Sequence, residues 1–298
     1  MRVHLVDGTY ELFRAHFSHR PSKTVAVSEA PNGRLDVKAT TGLVAAMLAL
    51  LHDPDEAVTH IAIAFDNPIV SFRNDLYAGY KSDEGVQPEI RGQFDLAEVA
   101  MRALGIVVWS MDRWEADDAL ATGATRFAAT AEQVRILTPD KDLGQCVQGT
   151  RIVQVDRMRR KLIDEDVVRA ARGVGPTSIP DLLALVGDAA DGFPGLKGFG
   201  AKSAAAVLAR WGTIERIPDD VTAWDVKVTG APRLAATLAA QRDEALLYKK
   251  LATLITDVPL PESLEELEFR GVPRESFDAL CTQLDSQDLR SRPIRFRA

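Results

Sequence analysis

The sequence predicts an α/β layer built on a mostly parallel sheet, followed by a helical subdomain, and three observations lead there. Short apolar runs rich in β-branched residues recur through the first half, stretches with one apolar helical face separate them, and strand-like runs cease beyond about residue 165. The runs RVHLV (2–6), IAIAF (61–65), IVVW (106–109), VRILT (134–138) and IVQV (152–155) read as short buried strands. Between them, residues 41–52, a stretch near 92–104, and 116–129 place apolar residues on one face and read as helices. Further helices are expected at 179–188, with Pro180 in the first turn, at 201–211, and from Pro232 to about Leu254. The polar segment AGYKSDEGVQPEIRGQ (78–93) reads as a long exposed loop or mobile arch. The chain therefore divides into an α/β core, 1–165, and a helical subdomain, 166–298. The last residues, 290–298, carry four arginines and read either as a solvated tail or as a contact to backbone phosphates.

Composition sets the class. With 298 residues, 46% of them hydrophobic, the chain can bury a sizeable core. Cys146 and Cys281 lie far apart without a CxxC pattern, which excludes a disulfide framework and a thiolate metal site. No apolar run reaches the roughly 18–20 residues that span a bilayer, and Asp7 interrupts the N-terminal apolar stretch, so a soluble cytoplasmic chain is expected. A net charge of −7 argues at first against a nucleic-acid partner. Nine of the carboxylates, however, are candidates for one site, and setting them aside turns −7 into +2. Net charge does not decide the partner.

The placement of those acids is informative. Asp7 ends the first strand and Asp66 the second, while Asp140 and Asp142 follow VRILT. In open parallel sheets ligands bind beyond the carboxyl ends of strands, so these acids should converge on one rim. WEADD supplies Glu115, Asp117 and Asp118 at a helix start, where the dipole favours negative charge. Asp188 and Asp191 would share a helix face if helix 179–188 continued through them. Each acid alone has an innocent role as a cap, a turn residue or a solvated charge. Together they are costly: a like-charged pair about 4 Å apart costs on the order of 4 kcal/mol at an effective dielectric near 20, which bound cations would offset. Nine oxygen donors without His or Cys select hard ions such as Mg²⁺ or Mn²⁺. The five histidines, all within the first 60 residues, show no ligand spacing. Two such ions suit in-line displacement at phosphorus, hence phosphodiester hydrolysis.

After Asp191 comes GFPGLKGFGAKSAAAVLARWG. Gly195, Gly198 and Gly200 permit tight turns ahead of a helix whose first N–H groups can bind phosphate, with Lys197 and Lys202 adding charge. No strand precedes this run, which argues against a dinucleotide site. Between two helices it reads as a helix-hairpin-helix that grips a DNA backbone without reading bases.

Through VDGTYELFRAHF, AFDNPIVSFRNDLYAGYKSD, WEADDALAT, LTPDKDLGQ and LLALVGDAADGFPGLKGFGAKSA the chain resembles the 5′ nucleases, which comprise flap endonucleases and the N-terminal 5′-to-3′ exonuclease domain of bacterial DNA polymerase I. The match covers roughly residues 1–215. The resemblance implies a PIN-like core, a helical arch near 78–93 and a helix-three-turn-helix near 179–212. It implies that Asp66, Glu115, Asp117 and Asp140 surround one metal, with Asp7 helping through water. Asp117 and Asp140 would also face a second metal beside Asp142 and Asp191, and Asp118 and Asp188 would act through water or outer contacts. It further implies that Arg73 and Lys81 contact the scissile phosphate, that Phe13 stacks on a nucleobase, that Arg14 contacts DNA, and that turn carbonyls around Gly195–Gly200 hold K⁺. Ser82, Asp83 and Glu84 depart from the family's small residues and arginine, so contacts from the arch to the 5′ strand are expected to be weaker or rearranged.

The expectation is thus a free-standing, monomeric, Mg²⁺- or Mn²⁺-dependent 5′ nuclease, cytoplasmic and nucleoid-associated when on DNA, acting on branched, nicked or 5′-ended DNA in replication and repair, with no membrane partner. Its competitors are a non-catalytic DNA-structure-binding protein and a PIN-type ribonuclease.

Overall fold

The computed structural model describes residues 1–27 and 33–297. In chain order it contains β1 (Arg2–Asp7), α1 (Gly8–His16), β2 (Thr24–Ala26), β3 (Arg34–Asp36), α2 (Lys38–Leu51), β4 (His60–Asp66), α3 (Phe72–Leu76), α4 (Pro88–Arg91), α5 (Phe94–Ala103), β5 (Val107–Met111), α6 (Ala116–Phe127), β6 (Gln133–Leu137), β7 (Ile152–Asp156) and β8 (Lys161–Ile163). The helical part follows with α7 (Glu165–Arg172), α8 (Ile179–Val186), α9 (Ala201–Trp211), α10 (Ala231–Ala240) and α11 (Arg242–Ala252), and the chain closes with β9 (Val272–Pro273), α12 (Arg274–Gln283) and β10 (Phe296–Arg297).

The main sheet runs β5-β4-β1-β6-β7-β8, parallel except for β8, which returns antiparallel to β7. β1 lies between β4 and β6, so the chain builds one side of the sheet and then crosses to the other. The loops after β1, β4 and β6 consequently open at one switch point. The strands are apolar on both faces because both are covered. One face packs on α1, α2 and α5, burying Val6, Ile63, Phe65, Leu43, Phe94 and Met101. The other receives α6, whose alanines allow close approach to Val3, Leu5 and Trp109. A separate core unites α7–α11 around Leu183, Phe193, Leu208 and Tyr248.

Several boundaries differ from expectation. Helix 179–188 stops at Val186, because Gly187 adopts φ +91° and a Cβ there would meet the Pro194 carbonyl oxygen at 2.4 Å. The stretch from Pro232 to Leu254 breaks at Gln241 into α10 and α11. The segment 78–93 carries only the four-residue α4, with Tyr80 buried at its base. Residues beyond 255 leave the helical unit and return to the α/β core: Phe269 N–H donates to Thr59, and Phe277, Leu280 and Leu284 join the cluster formed with α2 and α5. The division at 166–298 is therefore corrected. The helical unit is an insertion, and the chain after it covers the core. The arginine-rich end is tied down by β10, which pairs with β9, and by the Arg274 guanidinium 3.8 Å from the Phe296 ring centroid, while Arg290, Arg292, Arg295 and Arg297 stay exposed; Ala298 lies outside the described residues. Among the described residues no helix is long and apolar enough to cross a membrane.

Candidate metal and nucleic-acid site

Asp7 and Asp66 stand where β1 and β4 end, in adjacent parallel strands, and each is fixed by the next element. Asp7 caps α1, its Oδ1 accepting from Tyr10 N–H at 2.8 Å and its Oδ2 from the Thr138 hydroxyl at 2.9 Å. Asp66 accepts from Ala116 N–H at 2.7 Å, tying β4 to the start of α6. Asp117 projects from the first turn of α6, and Asp140 follows β6, accepting from Asp142 N–H. These four share one basin, and their charges act on one another. Burial, with the Asp66 and Asp140 carboxylates close by, raises Asp7 to about 7. Burial together with Asp140 and Asp7 holds Asp117 well above the usual carboxylate range, and burial with Glu115 raises Asp66.

A second group adjoins them. Asp142, Asp188 and Asp191 each offer a carboxylate oxygen within 4.8 Å of the others. Asp188 and Asp191 reach this place on the turn after Gly187 rather than on a helix face, in a loop closed by paired backbone bonds between Asp188 and Phe193. Asp142 opens a 3₁₀ turn, Asp142–Cys146; burial, then Asp140 and Asp191, push it far up. Its Oδ1 is buried without a hydrogen-bond partner. A buried carboxyl oxygen without a partner is costly, and a bound cation would satisfy it. A hard cation fits this donor set, which contains oxygen only.

Glu115 and Asp118 belong to another arrangement. Arg73 is 1% exposed, and all five of its N–H donors are used: toward Leu251 and Thr253 carbonyls, toward Glu115, and twice toward Asp118 at 2.7 Å. Asp118, fully buried, also accepts from the backbone N–H groups of Glu115 and Ile255. Two expectations are corrected here. Arg73 has no donor left for a scissile phosphate and clamps α3, α6 and the end of α11 together, and Asp118 has no oxygen left for a metal or its water. Glu115 faces the basin through Oε2, which meets Lys81 Nζ at 2.7 Å and the Tyr80 hydroxyl at 3.3 Å, while Oε1 takes Ser71 and Arg73. Burial would raise Glu115, but Lys81 and Arg73 bring it down to about 2.

Lys81 bridges Glu115 and Asp191 (3.2 Å) and is 24% exposed, so it reaches both the basin and solvent. Burial would lower it; Glu115, Tyr80 and Asp191 keep it well above its ordinary value. Lys141, Tyr80, Ser71 and Thr138 were not singled out from sequence. Lys141 pairs with Asp188 at 2.5 Å, and Tyr80 spans Glu115 and Asp191. Their signal was adjacency alone, Lys141 between the acids of PDKD and Tyr80 before Lys81.

Phe13 is half-buried, edge-on to Phe94 with centroids 6.3 Å apart, and leaves part of its ring uncovered. Arg14 points away from the basin, paired with Glu11 and touching the Met158 sulfur. The turn joining α8 to α9 uses left-handed Gly195 (φ +69°) and Gly198 (φ +97°), and Gly187 and Gly195 touch backbone to backbone. Gly200 N-caps α9 in extended conformation, its N–H donating to Ser203 Oγ. Gly198, Gly200 and Lys202 line an open cleft of about 560 Å³ shared with Lys227. Lys197 is exposed nearby.

An acid rim at the switch point of a parallel sheet, flanked by a glycine-turned helix pair with exposed lysines, defines a protein that gathers oxygen donors beside an anion-attracting surface. Comparison with known proteins supplies the family. Residues 2–173 match the family model of the 5′-3′ exonuclease N-terminal resolvase-like domain, and residues 174–275 match that of the 5′-3′ exonuclease C-terminal SAM fold. The chain belongs to the 5′-3′ exonuclease family. DNA polymerase I of Pseudomonas aeruginosa is 35% identical over 292 residues, which cover 94% of this chain and 30% of that protein. The 5′-3′ exonuclease of Aquifex aeolicus is 28% identical over 290 residues, covering 97% of this chain and 93% of that one. Among solved structures, the T5 5′-exonuclease with bound zinc ions aligns with a TM-score of 0.65 at 15% identity, covering 95% of this chain and 98% of the other. The catalytic core of Rad2 in complex with DNA substrate aligns at 0.59 and 15%, covering 97% and 89%. These likenesses establish the fold, a PIN-like α/β core with its helical unit.

Proposed function

We propose that the chain is a divalent-metal-dependent 5′ nuclease, a 5′-to-3′ exonuclease and 5′ flap endonuclease that hydrolyses DNA phosphodiester bonds in replication and repair. The observation that carries this is the trio Asp142, Asp188 and Asp191, with its partnerless Asp142 oxygen, beside the mutually repelling Asp7, Asp66, Asp117 and Asp140. The divalent ions in the T5 exonuclease and the DNA in the Rad2 complexes agree with this reading. Asp142, Asp188 and Asp191 would hold one ion, and Asp7, Asp66, Asp117 and Asp140, with the Oε2 of Glu115, the other. Mg²⁺ or Mn²⁺ suits all-oxygen ligands, and carbonyls of the Gly195–Gly200 turn are candidates for K⁺. Bound there, divalent ions supply an activated water and neutralise charge developing on the phosphate.

The chain's own residues supply position. Tyr10 N–H and Thr138 aim Asp7, and Ala116 N–H aims Asp66, so these carboxylates need little reorganisation when substrate arrives. Lys81, kept charged and partly open to solvent, donates to a nonbridging phosphate oxygen at the mouth of the basin. Phe13 offers its uncovered ring edge to a base, and Gly198, Gly200, Lys197 and Lys202 hold the duplex backbone away from the cut, in branched, nicked or 5′-ended DNA. The test is cleavage of 5′-labelled flap, nicked and blunt duplexes in Mg²⁺, Mn²⁺ or EDTA. Single-nucleotide products or incision at the branch, only with metal, are expected; intact substrate in every metal overturns the reading.

A further inference from the structure

Lys141 stands between two of the rim acids, Asp140 and Asp142, and the chemistry proposed above gives it no part. Its backbone is fixed. The Lys141 carbonyl accepts from Gly144 N–H at 3.1 Å in the 3₁₀ turn, Asp142 N–H donates to Asp140 Oδ1 at 2.9 Å, and the Gln154 amide donates to the Asp140 carbonyl at 2.6 Å. The side chain is freer: it is 34% exposed, and among the described residues its one ion pair is with Asp188, which Nζ meets at 2.5 Å.

The Asp188 side chain is buried and depends on that ammonium for its neutralisation. Its Oδ1 accepts from Ala190 N–H at 3.0 Å within its own turn, a bond set by the backbone. Oδ2, covered by Lys141, is therefore the oxygen most readily cleared for an ion shared with Asp142 and Asp191. An ion bound to that oxygen at about 2.1 Å would lie within about 4.6 Å of Nζ if the lysine stayed. The repulsion between a divalent ion and the ammonium is twice that between two single charges at the same distance. The ammonium is the partner that can leave, because it rides on a flexible four-carbon stem that reaches solvent. Lys81 is held differently: when Asp191 turns to an ion, Glu115 still anchors Lys81 at 2.7 Å.

We propose that Lys141 is an exchangeable counter-ion: it neutralises Asp188 until a divalent ion takes that carboxylate, and the released ammonium then pairs with a phosphate oxygen of the bound DNA. Ion binding at Asp142, Asp188 and Asp191 thereby turns a lysine committed to the protein into one that faces the substrate. The destination of the ammonium rests on the nuclease reading, whereas the exchange at Asp188 rests only on the trio's taking a divalent ion.

The probes are Mn²⁺ and a fluorescent phosphorothioate duplex, which keeps the backbone charge and resists hydrolysis. Lys141→Met retains the stem and removes the charge. In EDTA its urea midpoint should fall below that of the wild type, because Asp188 is left buried without its cation, and Lys141→Arg should restore it. At saturating Mn²⁺ the midpoints of the Met variant and the wild type should converge, so that by linkage the variant binds Mn²⁺ more tightly, by about fivefold or more. Anisotropy with the duplex tests the released ammonium. At saturating Mn²⁺ the slope of log K against log salt should be shallower by about 0.9 for the Met variant, one phosphate contact, while in EDTA the two slopes should agree. Equal midpoints in EDTA, a deficit that persists undiminished in Mn²⁺, a slope that changes in both conditions or in neither, or a wild-type chain that does not bind the duplex in Mn²⁺ would each overturn the proposal. A wild-type chain that cuts nothing in any metal, while the midpoints converge and the slope falls as expected, would sink the nuclease reading and leave the exchange at Asp188 standing.

Discussion

The Arg73 clamp yields a quantitative expectation. Arg73→Met keeps most of the side chain's volume and removes its charge, leaving Asp118 (0% exposed) without a cation and Glu115 (3%) with Lys81 alone. Breaking a buried ion pair from one side costs about 3–5 kcal/mol, because the remaining charge stays buried and uncompensated. The Leu251 and Thr253 carbonyls lose donors as well. Against a total stability of roughly 5–15 kcal/mol, this is about a fifth or more of what holds the chain folded. Urea unfolding followed by circular dichroism should show the midpoint falling at unchanged m-value. The double variant Arg73→Met/Asp118→Leu removes both sides and should be destabilised by less than the two single changes together. A loss below about 1 kcal/mol for Arg73→Met, or strict additivity in the double, would refute the clamp. Native stability combined with a collapsed single-turnover rate would return Arg73 to the substrate.

Asp142→Asn replaces a buried carboxylate held far above its usual range, and should raise the stability of the cation-free chain by about 1–3 kcal/mol while abolishing cleavage with duplex binding largely intact; a destabilised variant, or one that cuts at the normal rate, would contradict the assignment. Lys81→Ala should lower the single-turnover rate at least tenfold with little change in DNA affinity, and an unchanged rate would remove Lys81 from the chemistry. In EDTA, stability should fall between pH 5 and pH 8, since Asp7, at about 7 in the folded chain against an ordinary 3.8, binds its proton more tightly folded than unfolded. The single-group contribution is roughly 4 kcal/mol of lost stability once both values are passed, and Asp66, Asp117 and Asp142 act in the same direction. His4, lowered by burial, opposes it, while Glu56 and Glu115, at about 2, titrate below the window. A urea midpoint higher at pH 8 than at pH 5, or no recovery at pH 8 on adding Mg²⁺, would count against a cation-seeking basin.

Asp7, Asp66 and Asp140 were legible because a parallel sheet fixes where its strand ends lie: once RVHLV, IAIAF and VRILT are strands, the residues after them share an edge. Asp188 and Asp191 were legible as members of the set but not in their conformation, which depends on Gly187 meeting the Pro194–Gly195 backbone a short way further along the chain. The fate of Arg73 was hidden for a different reason. A cation in the polar run FRNDLYAGYK looks solvated, and its burial depends on Glu115 and Asp118, more than forty residues away, and on Leu251 and Thr253 further still. The return of residues 255–297 was equally hidden, since short irregular segments pinned by single bonds such as Ile255 N–H to Asp118 leave no periodic trace.

That return has a mechanical consequence. A subdomain hung from one strand of backbone could swing about it, whereas the helices from α7 to α11 enter beside β8 and leave past α6, so they are moored at two separate points. With the Arg73 clamp fastening one mooring, the lever arm between the α8–α9 turn and the acids is nearly fixed in length. On the proposed function, a duplex held at that turn would reach the basin at a set distance along its axis.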